Sequence, residues 1–206
     1  MLLAATVASL AASLVVAVPS AEPAQTPAAP TTPAAGARSF TVDGVHSKAF
    51  FRVLHMGAGQ FWGRFNDVSG SFSFDPANMA SAKFDVTIKI ESVDSGNEDL
   101  DKHLRSPDFF AAKDFPTMTF RSTGVEGASA AGGTLKGELT MKGVTKPVTA
   151  KLEFTGMADM GRGAKAGFES TFTVKRSEFG INYGVEKGAI GDEVRVTVAL
   201  EGNLAK

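Results

Sequence analysis

From Lys83 to Ile90 the chain alternates strictly: Phe84, Val86, Ile88 and Ile90 are apolar, and Lys83, Asp85, Thr87 and Lys89 are polar or charged. A period of two puts successive side chains on opposite faces of an extended strand, so one face seeks a core and the other water. The pattern returns at Leu135, Gly137, Leu139 and Met141, at Val148, Ala150, Leu152 and Phe154, at Phe168, Ser170, Phe172 and Val174, and at Val194, Val196, Val198 and Leu200. Met118 and Phe120 mark a shorter run. Ala49 to His55 and Phe61 to Phe74 read as further strands, the latter bent at Asn66-Asp67 or Gly70. Asp75-Pro76, Gly132-Gly133 and Lys142-Gly143 supply turn chemistry between runs. About eight strands with one apolar face each predict an all-β domain, closed as an antiparallel barrel or stacked as a sandwich.

One segment, 95–112, breaks the alternation. Ser95 and Glu98 have the spacing of a capping box, with Ser95 as N-cap. Glu98, Asp99 and Asp101 come early, where the helix dipole favours acids, and Lys102, His103 and Arg105 come late. Leu100 and Leu104 share a face, Asp101 and Arg105 have ion-pair spacing, and Pro107 stops the helix. Ser106 to Phe110 predicts a second short turn. With no helical partner, this segment is expected to cover one barrel end, with Leu104, Phe109 and Phe110 facing inward.

Leu2 to Val18 is an apolar run followed by small residues, which reads as a signal peptide over 1–20 with cleavage after Ser20. No Lys or Arg precedes it, and an uncleaved membrane anchor is the alternative. Residues 21–38, rich in Pro, Ala and Thr, read as a disordered linker, leaving 39–206 for the barrel domain. Such a leader predicts export of the chain. The absence of cysteine excludes disulfides, thiol catalysis and a lipoprotein anchor. A net charge of -1 offers no electrostatic footprint for nucleic acid.

The sequence carries no positive sign of catalysis. There is no Gly-x-Ser-x-Gly elbow, and Gly57 and Gly59 precede a strand where a phosphate loop needs a helix. His46, His55 and His103 match no metal-ligand spacing, so no metal site and no cofactor is expected. An enzyme acting on a quinone or prenyl substrate, with a metal held by those histidines, is the alternative. A barrel packed shut, serving structure or partner binding, is a third reading.

Several blocks resemble the YceI-like proteins of the bacterial periplasm. They are Asp43 to Ser47, Phe51 to His55, Gly63 to Phe65, Gly70 to Phe72, Asp101 to Phe110, Phe115 to Phe120, Gly137 to Val148, Arg176 to Gly180 and the final strand at Val194. Together they span roughly Ser39 to Leu204, in order. The resemblance implies a lipocalin-like barrel that binds polyisoprenoid or similar amphiphilic lipids, quinones included. It also implies a frequent homodimer, a stress-associated role, and transient contact with a membrane or a membrane redox protein. This chain has Leu100 where the family often has Arg.

Alternation and resemblance together assign a ligand tunnel to Phe65, Phe72, Phe84, Val86, Ile88, Met118, Phe120, Leu139, Met141, Leu152, Phe168 and Phe172, and headgroup contacts to His103, Arg105 and Lys142. Phenylalanine, present 16 times, presents apolar area without a polar atom to satisfy. A tail of four isoprene units has about 20 carbons, and at about 0.8 kcal/mol per methylene its gross burial is about 16 kcal/mol. Such a tunnel holds a long tail without a strong headgroup contact. Everything turns on whether the barrel is hollow.

Overall fold

The computed structural model describes residues 36–206. The leader and all but the end of the linker lie outside the described residues. Eleven antiparallel strands follow: β1 (Arg38–Val42), β2 (Lys48–His55), β3 (Gly59–Phe65), β4 (Val68–Asp75), β5 (Asn78–Lys89), β6 (Val93–Asp94), β7 (Thr117–Ser129), β8 (Gly132–Met141), β9 (Val144–Asp159), β10 (Ala164–Lys175) and β11 (Ile190–Leu204), with one helix, α1 (Glu98–Arg105). Eight of them close a ring in the order β1-β4-β5-β7-β8-β9-β10-β11, with β1 returning to β11. The remaining three, β2, β3 and β6, hang on β11 as an extension of the wall.

β11 makes this branching possible. Its last residues, Gly202 to Leu204, pair with β1, while its earlier length, Ile190 to Ala199, pairs with β2. The ring is therefore drawn tight at the β1 end and splayed at the other. Ser47, fully buried, holds the branch point: its hydroxyl donates to the Glu201 carbonyl and accepts from the Glu201 amide.

The tight end is filled by phenylalanine. Phe168 stands edge-on to Phe72, Phe74 and Phe84 at 5.1–5.4 Å, and Phe40 stacks on Phe72 at 5.2 Å. Edge-to-face contacts suit the ring quadrupole and pack without a polar atom to satisfy. This plug makes the end impassable.

The Phe61–Phe74 run breaks into β3 and β4 at Asn66-Asp67. Gly70 stays within β4, where a Cβ would stand 2.1 Å from the Asp85 carbonyl oxygen. Gly132-Gly133 opens β8 and is not itself the turn. Lys142 and Gly143 both take positive φ, 51° and 76°, as a two-residue hairpin of the right twist requires. The N-cap of α1 is Asn97, not Ser95: its side-chain oxygen accepts from the Asp99 and Leu100 amides. Ser95 instead donates from both its amide and its hydroxyl to Asp101. That occupies Asp101, and the Asp101–Arg105 ion pair does not form. Arg105 reaches back to the Glu91 and Val93 carbonyls and the Glu91 carboxylate, tying α1 to the wall.

Candidate functional site: a blind apolar cavity

Above the phenylalanine plug the barrel is hollow. Its cavity measures about 440 Å³ and opens at the splayed end, among the β2–β3 hairpin, α1 and the loop carrying Tyr183. The side-chain pattern shows the hollowness independently. Ser170, Phe172, Val174, Val194, Val196 and Val198 line the cavity, yet each is only half-buried. Inward residues meeting across a filled barrel would be sealed, as Phe40, Phe74 and Phe168 are at the closed end.

The bore is kept open by glycine. Phe51 lies over Gly63, its direct partner across β2 and β3, and a Cβ on Gly63 would stand 2.4 Å from the Phe51 ring. Phe120, a diagonal neighbour on β7, lies over Gly137, whose Cβ would stand 2.4 Å from its ring. Each ring occupies the recess left by a missing side chain and lies against the wall, leaving the middle free.

Eleven of the twelve residues assigned to the tunnel from sequence border this cavity: Phe65, Phe84, Val86, Ile88, Met118, Phe120, Leu139, Met141, Leu152, Phe168 and Phe172. Phe72 does not. It faces inward as its alternation requires, but at the tight end, where it belongs to the plug. Period two gives the face of a strand and says nothing about height along the barrel axis.

The three headgroup assignments separate. His103 borders the cavity at its entrance, where it forms an aromatic triangle with Phe109 and Tyr183 at 4.9–5.2 Å and meets the Asp108 carboxylate at 3.2 Å. Arg105 and Lys142 do not border it. Arg105 is engaged with the wall as described, and the Lys142 ammonium donates to the Pro107 and Gly180 carbonyls at 2.9 and 3.2 Å. Both cations fasten lid segments in place. The histidines stand on three elements: His46 in the turn before β2, His55 at the end of β2 and His103 on α1. His46, Asp43 and Glu201 place ligand atoms within 4.8 Å of one another, but the Lys165 ammonium already bonds both carboxylates, at 3.2 and 2.7 Å. The His46 hydrogen bond, with Lys165 beside it, holds the Asp43 carboxyl well below the usual carboxylate range.

Arg176 stands in one of the resemblance blocks but outside the residues assigned to the site, and it is the only buried charged residue among those described. It borders the cavity and donates to the Gly191, Ile181 and Ile190 carbonyls at 2.8–3.1 Å. Burial pulls its pKa down from the ordinary arginine value, and the Asp192 charge opposes the shift. The signal existed: the inward row Phe168, Ser170, Phe172, Val174 reaches Arg176 at the next step of two.

The comparisons with known proteins agree with this architecture. The YceI-like domain model matches residues 40–202. The chain belongs to the YceI-like family. A curated relative of this YceI-like chain, a UPF0312 protein of Pseudomonas aeruginosa, is 42% identical over 161 residues, covering 78% of this chain and 83% of the relative. The crystal structure of the Campylobacter jejuni YceI protein superposes with a TM-score of 0.68 at 34% identity, over 74% of this YceI-like chain and 90% of that one. A domain of Saccharophagus degradans, described as polyisoprenoid-binding and implicated in plant cell wall breakdown, shares the fold at a TM-score of 0.63 and 15% identity, over 82% and 99% of the two chains.

Proposed function

We propose that this chain binds an isoprenoid-type or similar long-chain amphiphilic lipid, a polyprenyl phosphate or a quinone, with the tail in the barrel, and carries it through the periplasm. The observation that carries the reading is the blind cavity of about 440 Å³, lined mainly by apolar side chains, with His103 and Tyr183 at its entrance. Its size lies within the roughly 300–1,000 Å³ usual for ligand sites. The polyisoprenoid-binding description of the Saccharophagus degradans domain supports it by analogy of fold.

The headgroup sits, in this reading, at the entrance beside His103 and Tyr183. Arg176 adds positive charge there: a guanidinium has five N–H donors, and three hydrogen bonds to carbonyls leave two free. Binding, not turnover, is the function such a lining suits. A stress-associated role, a homodimer and contact with a membrane redox protein belong to the same proposal through the family resemblance. Native mass spectrometry of gently purified protein tests it. An added apolar mass, identified after extraction as an isoprenoid lipid, is the expected result. A clean unliganded mass that takes up neither prenyl phosphate nor quinone refutes it.

A further inference from the structure

The β2–β3 hairpin stands beside the cavity entrance, and its inward side chains line the cavity. Its outward side is unusual for a surface in water. From Leu54 to Trp62 there is no Asp, Glu, Lys or Arg. Met56 at the tip is 66% exposed, Trp62 54% and Leu54 40%. Tyr183, 48% exposed, continues this rim across the entrance. Exposed apolar groups gathered at one place mark a contact surface.

Behind the tip the surface turns cationic. Arg52 and Arg195 are direct cross-strand partners on β2 and β11, and neither forms an ion pair with a carboxylate among the described residues. Like charges placed directly opposite destabilise a sheet. The Arg52 guanidinium lies 5.7 Å from the centre of the Trp62 ring. The apolar tip, Met56 and Leu54, leads; behind it Trp62, Arg52 and Arg195 stand in one cross-strand row, an interfacial aromatic beside cations suited to anionic headgroups.

We propose that this hairpin docks the barrel entrance onto an anionic lipid bilayer, with Leu54 and Met56 dipping into the interface and Arg52 and Arg195 held at the headgroups. The proposal rests on the carrier reading, since a tail that passes from bilayer to barrel without crossing water needs the entrance against the membrane. A second copy of the chain fits the same surface poorly. A two-fold contact centred on the Arg52–Arg195 pair would bring that pair against its own equivalent.

Trp62 is the only tryptophan in the chain, so its emission reports this rim and no other segment. The experiment mixes the full-length chain with vesicles of phosphatidylglycerol and phosphatidylcholine, with brominated phosphatidylcholine as quencher. The expected result is blue-shifted, quenched Trp62 emission that weakens with added salt and in vesicles of phosphatidylcholine alone. Arg52→Gln and Arg195→Gln are each expected to lower partitioning about fivefold, the worth of one basic residue near an anionic surface. Met56→Ser is expected to reduce quenching at unchanged fold. Uptake of a prenyl phosphate from detergent solution, followed by native mass spectrometry, is measured in parallel and is expected to survive all three substitutions. Unquenched Trp62 with detergent uptake intact overturns the docking and leaves the carrier reading standing. Quenched Trp62 with no uptake from any source supports docking and removes the carrier reading. Trp62 shielded in a dimer without vesicles assigns the surface to a second copy and overturns the proposal.

Discussion

Ser170→Phe separates a hollow barrel from a packed one. Ser170 lies between Leu152 and Val198 on neighbouring strands, borders the cavity, and its hydroxyl makes no hydrogen bond among the described residues. Replacing that hydroxyl by a ring puts six carbons into the void. With the cavity empty, burying the ring contributes roughly 1.5–3 kcal/mol. At about 2–4 °C per kcal/mol for a domain of this size, Tm rises by roughly 3–12 °C. The same six carbons displace a like number from a bound tail. At about 0.8 kcal/mol each, about 5 kcal/mol of binding is lost, more than three orders of magnitude in Kd. Differential scanning fluorimetry of delipidated protein and titration with a prenyl ligand measure both. Stability up and affinity down is the signature of an open bore. In a filled interior the ring overpacks, costing about 1–3 kcal/mol. A lower Tm with unchanged ligand uptake would therefore refute the hollow barrel and the carrier with it.

Three more outcomes follow from the geometry. Phe168→Ala, at the centre of the plug, is expected to cost about 3–5 kcal/mol in chemical denaturation and to deepen the cavity enough to admit a longer tail, read by competition between prenyl chain lengths. Arg176→Met strips three carbonyls of their donor at roughly 1–3 kcal/mol each where no water replaces it, and hydrogen exchange is expected to quicken first across residues 181–191. Asp43 has a depressed folded pKa, so its contribution is present above the unfolded carboxylate value and lost as pH falls through the folded one; Asp43→Asn is expected to unfold more easily than the parent at pH 7, with the difference shrinking below about pH 4.

How much of this was readable from the residues differs by level. Alternation placed Phe84, Val86 and Ile88 on one face because strand geometry leaves no other choice; the number of such runs allowed a barrel or a sandwich, and the family resemblance pointed to the barrel. It could not place Phe72 in a plug and Phe84 at a cavity floor, because height along the axis depends on the stagger between strands, a long-range property. The helix was legible from its charges and its proline, but its cap was misassigned. Asn97 and Ser95 are both good capping residues, and the choice was settled by Asp101, which takes the Ser95 hydroxyl. Arg105 and Lys142 looked like headgroup ligands because their free charge suits an anion. Backbone carbonyls of folded segments, invisible in a sequence, claim both. Arg176 was legible by simple extension of the β10 row, and was passed over because a cation breaks the apolar pattern that defined the row.

The rings resting on Gly63 and Gly137 separate the width of the tunnel from the residues that touch its contents. A methyl group at Gly63, whose Cβ would have the Phe51 ring as its nearest neighbour at 2.4 Å, is expected to push that ring toward the axis and narrow the passage without altering a lining residue's identity. Gauge is thus written on the wall behind the aromatic layer. Two barrels with identical inner surfaces can differ in bore, according to where a neighbouring strand carries hydrogen instead of carbon.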